Sequence, residues 1–165
     1  MIALVLALAA MAGPRTDGPG ITLLAGEDWA RRCYLHAVDT MPDEDAVRDC
    51  DRAVASQANI RGNLGASVVN RGVVRFRLGD YRAAADDFTL AIDGFGMKTA
   101  RVFINRGLAW EMASGPDLDL EGLARADYAR ALKLDPDNEV ALERLRQLER
   151  PYIEREVVFD RAVTS

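Results

Sequence analysis

The phrase Asn-Arg-Gly occurs at Asn70–Gly72 and again at Asn105–Gly107, 35 residues apart and each time inside an apolar run, NRGVVRFRLGDY and NRGLAWEMASG. A return at a spacing between 20 and 50 residues is the mark of a repeat architecture, in which one small unit recurs and buries its apolar face on its neighbours. From Val68 to Phe88 the apolar and small residues recur at intervals of three and four, broken at LGDY. That pattern predicts two helices joined by a glycine turn. Gly72 stands inside the first helix, where Gly costs about 1 kcal/mol relative to Ala. A neighbouring helix must therefore pass close to it. Ala84 and Ala91 on the second helix are the small residues that such an approach needs, and Phe88 between them is the large knob.

The set Gly72, Gly79-Asp80-Tyr81, Ala84, Phe88 and Ala91 resembles the tetratricopeptide repeat. A second unit repeats it with Gly107 and Trp110, then Ala124, Tyr128 and Ala131, closing at LKLDPDN with Pro136 in the helix-ending place. Its turn, ASGPDLDLEG, is about five residues longer than the compact form, a lengthening that costs little entropy. An earlier and weaker unit has DWARRCYLHAV as its first helix and Ala46, Cys50 and Ala53 as its small-large-small ladder. After Asn138, EVALERLRQLER carries Val140, Leu142, Leu145 and Leu148, as a terminal capping helix does. The resemblance implies an all-α superhelical solenoid with repeats at 27–60, 65–98 and 100–138 and a cap at 139–150. It spans about three quarters of the chain.

Length and charge bound the rest. At 165 residues, 49% of them hydrophobic, the chain has the size and composition of one folded domain. A formal charge of -5 argues against nucleic acid or an anionic membrane as partner, since both demand a surplus of Lys and Arg. The opening MIALVLALAAMAG is too short to span a bilayer. With Ala10-Met11-Ala12 as a small-x-small site, it reads as a signal peptide over 1–12, although no Lys or Arg precedes the apolar run. A Gly/Pro-rich linker at 13–26 follows, and residues 151–165 form a C-terminal tail. Export to the periplasm or medium is the expectation; a cytoplasmic protein is the alternative.

The repeat alignment puts Cys33 and Cys50 on the two helices of the first hairpin, Cys33 where the motif favours Leu and Cys50 where it favours an aromatic. In an exported protein they are expected to form a disulfide, worth roughly 3 kcal/mol for a loop of this length. In a reducing compartment they would be two buried thiols. Two Cys and a lone His36 make no metal site, and no Ser/His/Asp set, P-loop or GxGxxG is present. No cofactor and no enzymatic activity are expected.

In the resembled family the first helix of each hairpin lines a concave face. Here those helices carry Arg31, Arg32, Arg71, Arg75, Arg77, Arg101 and Arg106, while the second helices carry acids such as Asp49, Asp86, Asp87 and Asp127. The expectation is a non-enzymatic interaction module whose locally basic groove binds a peptide or protein segment bearing acidic groups, through Asn70, Asn105, Arg31, Arg75, Arg77 and Arg101. The resemblance implies that the two asparagines would bond the ligand backbone. Arg71 and Arg106 either face that ligand or bridge to aspartates on a neighbouring helix. A self-associating scaffold, a homo-oligomer within an envelope assembly, is the alternative.

Overall fold

The structure is a computed structural model that describes residues 29–39, 41–56, 61–114 and 118–149. The expected signal peptide, linker and C-terminal tail lie outside the described residues. Within them the chain is all-α, with seven helices and no strand: α1 Trp29–Val38, α2 Glu44–Ala55, α3 Arg61–Arg77, α4 Tyr81–Phe95, α5 Ala100–Ser114, α6 Leu118–Leu134 and α7 Glu139–Leu148.

Local chemistry sets the ends of these helices. Asp43 caps α2, its carboxylate accepting the Ala46 N–H, and Glu44 and Asp45 place negative charge in the positive first turn. Between α3 and α4 the chain reverses in three residues. Gly79 takes a left-handed φ of 88° that side-chain-bearing residues avoid, and the Asp80 N–H reaches back to the Arg75 carbonyl, closing the helix end. Tyr81 then lays its ring edge-on against Phe76, centroids 5.3 Å apart. Gly96 ends α4 in the same way, with φ 69° and the Met97 N–H on the Ala91 carbonyl. Asn138 caps α7 through the Ala141 N–H.

The long connection anticipated between α5 and α6 differs from expectation. Helix resumes at Leu118, so most of the inserted residues lengthen α6 and do not form a loop. Asp119 and Glu121 favour the first turn electrostatically, and burial of Leu120 and Glu121 anchors it to the body. α3 likewise begins at Arg61, ahead of the anticipated start at residue 65.

Packing runs from neighbour to neighbour. α1 packs on α2 and α3, α2 on α3, α3 on α4, α4 on α5, α5 on α6 and α6 on α7. Between helices further apart in the chain contact is slight or absent. The core is therefore a thin continuous seam whose centre is Val68, Val69, Val73, Val74, Phe88, Val102 and Tyr128, all fully buried.

Candidate functional site

One contact recurs at the heart of every hairpin. A methyl group placed on Gly72 would lie 2.8 Å from the Phe88 ring, and one on Gly107 would lie 2.8 Å from the Tyr128 ring. Each glycine is thus the seat of the aromatic knob from the following helix. In the first hairpin the equivalent pair is Cys33 and Cys50, joined as a disulfide with their Cα atoms 4.6 Å apart. Cys33 accordingly occupies the glycine register and not the leucine register anticipated from sequence. Arg31-Arg32-Cys33 aligns with Asn70-Arg71-Gly72 and Asn105-Arg106-Gly107. Flanking alanines agree with this register: Ala46 and Ala53, Ala84 and Ala91, Ala124 and Ala131 are all fully buried.

The register explains the arginines. Arg71 grips Asp87, with Nε to Oδ2 at 3.0 Å and Nη2 to Oδ1 at 2.6 Å, and donates from Nη1 to Asp51 of α2 at 2.8 Å. Arg106 does the same one unit later, with Nε and Nη2 on Asp127 at 2.7 and 2.8 Å and Nη1 on Thr89 of α4 at 3.1 Å. Arg32 meets Asp49 at 2.9 Å in the first hairpin. Arg71 and Arg106 are therefore struts: each fork holds an aspartate of its own hairpin and reaches the second helix of the hairpin before. Desolvation pulls the Arg71 guanidinium down, but Asp87 and Asp51 together outweigh it and hold the group above its ordinary range. Arg77, whose Nη1 donates to the Asp39 carbonyl, is lowered by burial against the weaker pull of the Asp39 charge.

The aspartates carry the surprise. Asp49, Asp87 and Asp127 belonged, by sequence, to an acidic outer layer; they are 4%, 3% and 1% exposed. Each directly precedes its knob, in Asp49-Cys50, Asp87-Phe88 and Asp127-Tyr128, and that constant offset is the signal that identifies them. Buried carboxylates need partners. Asp49 has Arg32, Arg52 and His36, Asp87 has Arg71 and Arg75, and Asp127 has Arg106 and Arg130.

Of the residues expected to touch a partner, the structure withdraws several. Asn70 and Asn105 are 3% and 1% exposed, closed off inside the packed helices. Asn70 Oδ1 and Asn105 Nδ2 have no hydrogen-bond partner there. Arg75 is drawn onto Asp87 at 2.8 Å, with Asp51 at 3.8 Å, and Arg77 is half-buried. Arg31 on α1 and Arg101 on α5 remain exposed. So do the large apolar side chains of Leu35, Met112 and Leu134.

A further polar link ties the cap. The Tyr128 hydroxyl donates to Glu111 Oε2 at 2.7 Å, and Arg144 of α7 donates to Glu111 Oε1 at 3.2 Å. Burial, reinforced by the Glu111 charge, pushes the Tyr128 hydroxyl far above the usual phenol range. Among the described residues no three His, Cys, Asp or Glu side chains converge as metal ligands, and no helix is long and apolar enough to cross a membrane. Compared with known proteins, the chain matches no family model, no curated protein and no solved structure.

Proposed function

We propose that the chain is an exported, non-enzymatic interaction module of tetratricopeptide type, its hairpins wound as a short right-handed superhelix that binds an acidic peptide or protein segment. The supporting observation is the threefold recurrence of one internal contact, knob on seat with an arginine strut beside it, in a stack whose helices pack on near neighbours. A stack of this kind is quasi-one-dimensional and offers long faces out of proportion to its mass. Its buried aspartates are paired with arginines of the stack, which leaves recognition to exposed side chains. Arg31 and Arg101 on the first helices of their hairpins are the basic contacts; Asn70, Asn105 and Arg75 are not among them. The Cys33–Cys50 disulfide fits an oxidising compartment, as export requires.

The double variant Arg31→Glu with Arg101→Glu tests the reading. Anisotropy of a fluorescein-labelled acidic peptide is expected to show weakened capture, while helicity and Tm stay at the unmodified values because both side chains are exposed. Capture unaltered by the double reversal would exclude these two residues as the basic contacts. A second reading, end-to-end self-association, draws on Val140 and Leu142, exposed on the terminal helix α7. Concentration-dependent mass in light scattering would favour it.

A further inference from the structure

The chain's 21 basic residues include two lysines, Lys98 and Lys133. Both line the same cleft of about 250 Å3, together with Phe103, Arg130 and Leu134. Most of the arginines on the described helices are bound to carboxylates, but neither lysine has an ion-pair partner among the described residues. Arg130 is paired with Asp127 at 2.9 Å, yet that carboxylate already serves Arg106, so two guanidinium groups share one negative charge. Asp135, next in sequence to Leu134, is turned away into the α6–α7 connection, where it accepts from Asn138 Nδ2 at 2.8 Å. The floor is apolar: Leu134 is 54% exposed, and Phe103 presents its remaining surface beside it.

Lys133 alone has a simple account, since a cation in the last turn of α6 complements the helix dipole. That account covers neither Lys98 nor the apolar residues that line the same cleft. On a protein of net charge -5, a cleft with three cations around a leucine and a phenylalanine is where an acidic, partly apolar partner is attracted and the remaining surface repels it. The volume lies below the roughly 300–1,000 Å3 of small-molecule pockets and suits one aliphatic side chain.

Resting on the interaction-module reading, we propose that this cleft is the anchor site for a peptide segment in which an apolar residue is flanked by acidic ones: the apolar side chain lies on Phe103 and Leu134, and the carboxylates meet Lys98 and Lys133. Arg101, three residues beyond Lys98 in the chain, is exposed in the first turn of α5.

Having two lysines makes the test direct. Reductive 13C-methylation labels both and preserves their charge. Titration with acetylated Glu-Asp-Leu-Asp-Glu is expected to shift both lysine signals saturably, and parallel anisotropy with the labelled peptide gives its Kd. Replacing the central leucine of the peptide by glycine, or Leu134→Asp or Lys98→Glu in the protein, is expected to raise that Kd about tenfold. Each variant changes an exposed residue, and a Tm within a degree or two of the parent confirms that the fold is kept. Peptide binding with the lysine signals unmoved overturns the cleft and leaves the module reading standing. Equal binding of the leucine and glycine peptides reduces the cleft to non-specific charge and overturns the proposal. No binding of the peptide anywhere on the protein overturns both.

Discussion

The first hairpin and the two that follow solve one packing problem with different chemistry. In α3–α4 and α5–α6 a glycine seats an aromatic ring, and the hairpin is held by a large buried apolar side chain. In α1–α2 a disulfide stands in the same place, and the other fully buried apolar residues of these two helices are the small Ala37, Ala46 and Ala53. The struts differ in parallel. Their aspartate side chains are almost equally buried, at 6%, 4% and 1%, but the arginine side chains go from 49% exposed at Arg32 to 14% at Arg71 and 11% at Arg106. The lesson is that register can survive a complete exchange of the bonding that fills it. The first hairpin substitutes a covalent link for a knob and depends on its redox surroundings; the later two depend on apolar burial.

The largest expected effect is at the knob. Phe88→Ala removes a fully buried ring and is expected to cost about 3–5 kcal/mol in chemical denaturation, with loss of helix across α3–α5. Reduction, or Cys33→Ala with Cys50→Ala, removes about 3 kcal/mol. Hydrogen exchange is expected to confine that loss to α1 and α2, and protection lost evenly across the chain would break the contrast between the hairpins. The sharper test rebuilds the common solution: Cys33→Gly with Cys50→Phe is expected to restore α1–α2 protection and make it indifferent to reductant.

Next come the struts. Asp127→Ala strands Arg106 in the interior and is expected to cost about 3–5 kcal/mol, by the general penalty for breaking a buried pair. Asp49→Ala is expected to cost distinctly less, because the half-exposed Arg32 can turn to water. Equal losses would show that arginine exposure is not what separates the hairpins.

Tyr128 gives the third hairpin a pH dependence that a disulfide cannot have. Its folded pKa is raised above the unfolded value of about 10, so the native state keeps a proton that the unfolded chain releases. Stability from this group is full below pH 10 and falls above it by about 1.4 kcal/mol per pH unit. Tyr128→Phe is expected to flatten that alkaline slope in urea titrations while keeping the ring on Gly107. The smallest effect lies in the extended start of α6: a methyl on Gly122 would meet nothing within 4 Å, so Gly122→Ala is expected to raise stability by about 0.5–1 kcal/mol.

Much of this organisation was legible in the residues. Asn-Arg-Gly, the Ala-knob-Ala ladders and the Gly79 turn have short-range causes, and they placed the hairpins and the cap within a few residues. The α6 start was not, because ASGPDLDLEG reads as a loop until Leu120 finds a buried partner surface. Nor was the register of Cys33, which differs by one residue from the anticipated one: α1 has no glycine to mark the seat, and only its distance to Cys50 decides.

By itself, then, the sequence determined an all-α chain of recurrent hairpins, because helical periodicity, capping residues and turn glycines act within a few residues of one another. Tertiary structure alone decided which charged and polar groups face inward. Asp87, Asp127, Asn70 and Asn105 lie on helices that also carry exposed polar residues, and residue type does not separate the two kinds; the place of each aspartate before its knob acquires meaning only once the knob is seen buried. Their burial follows from the stacking of the helices, and for the aspartates an arginine fork on the first helix of the same hairpin supplies the compensating charge at a distance of 16 to 21 residues along the chain. That is also why the two lysines, which no carboxylate among the described residues claims, stand out only once the fold has brought Lys98 and Lys133 to one cleft.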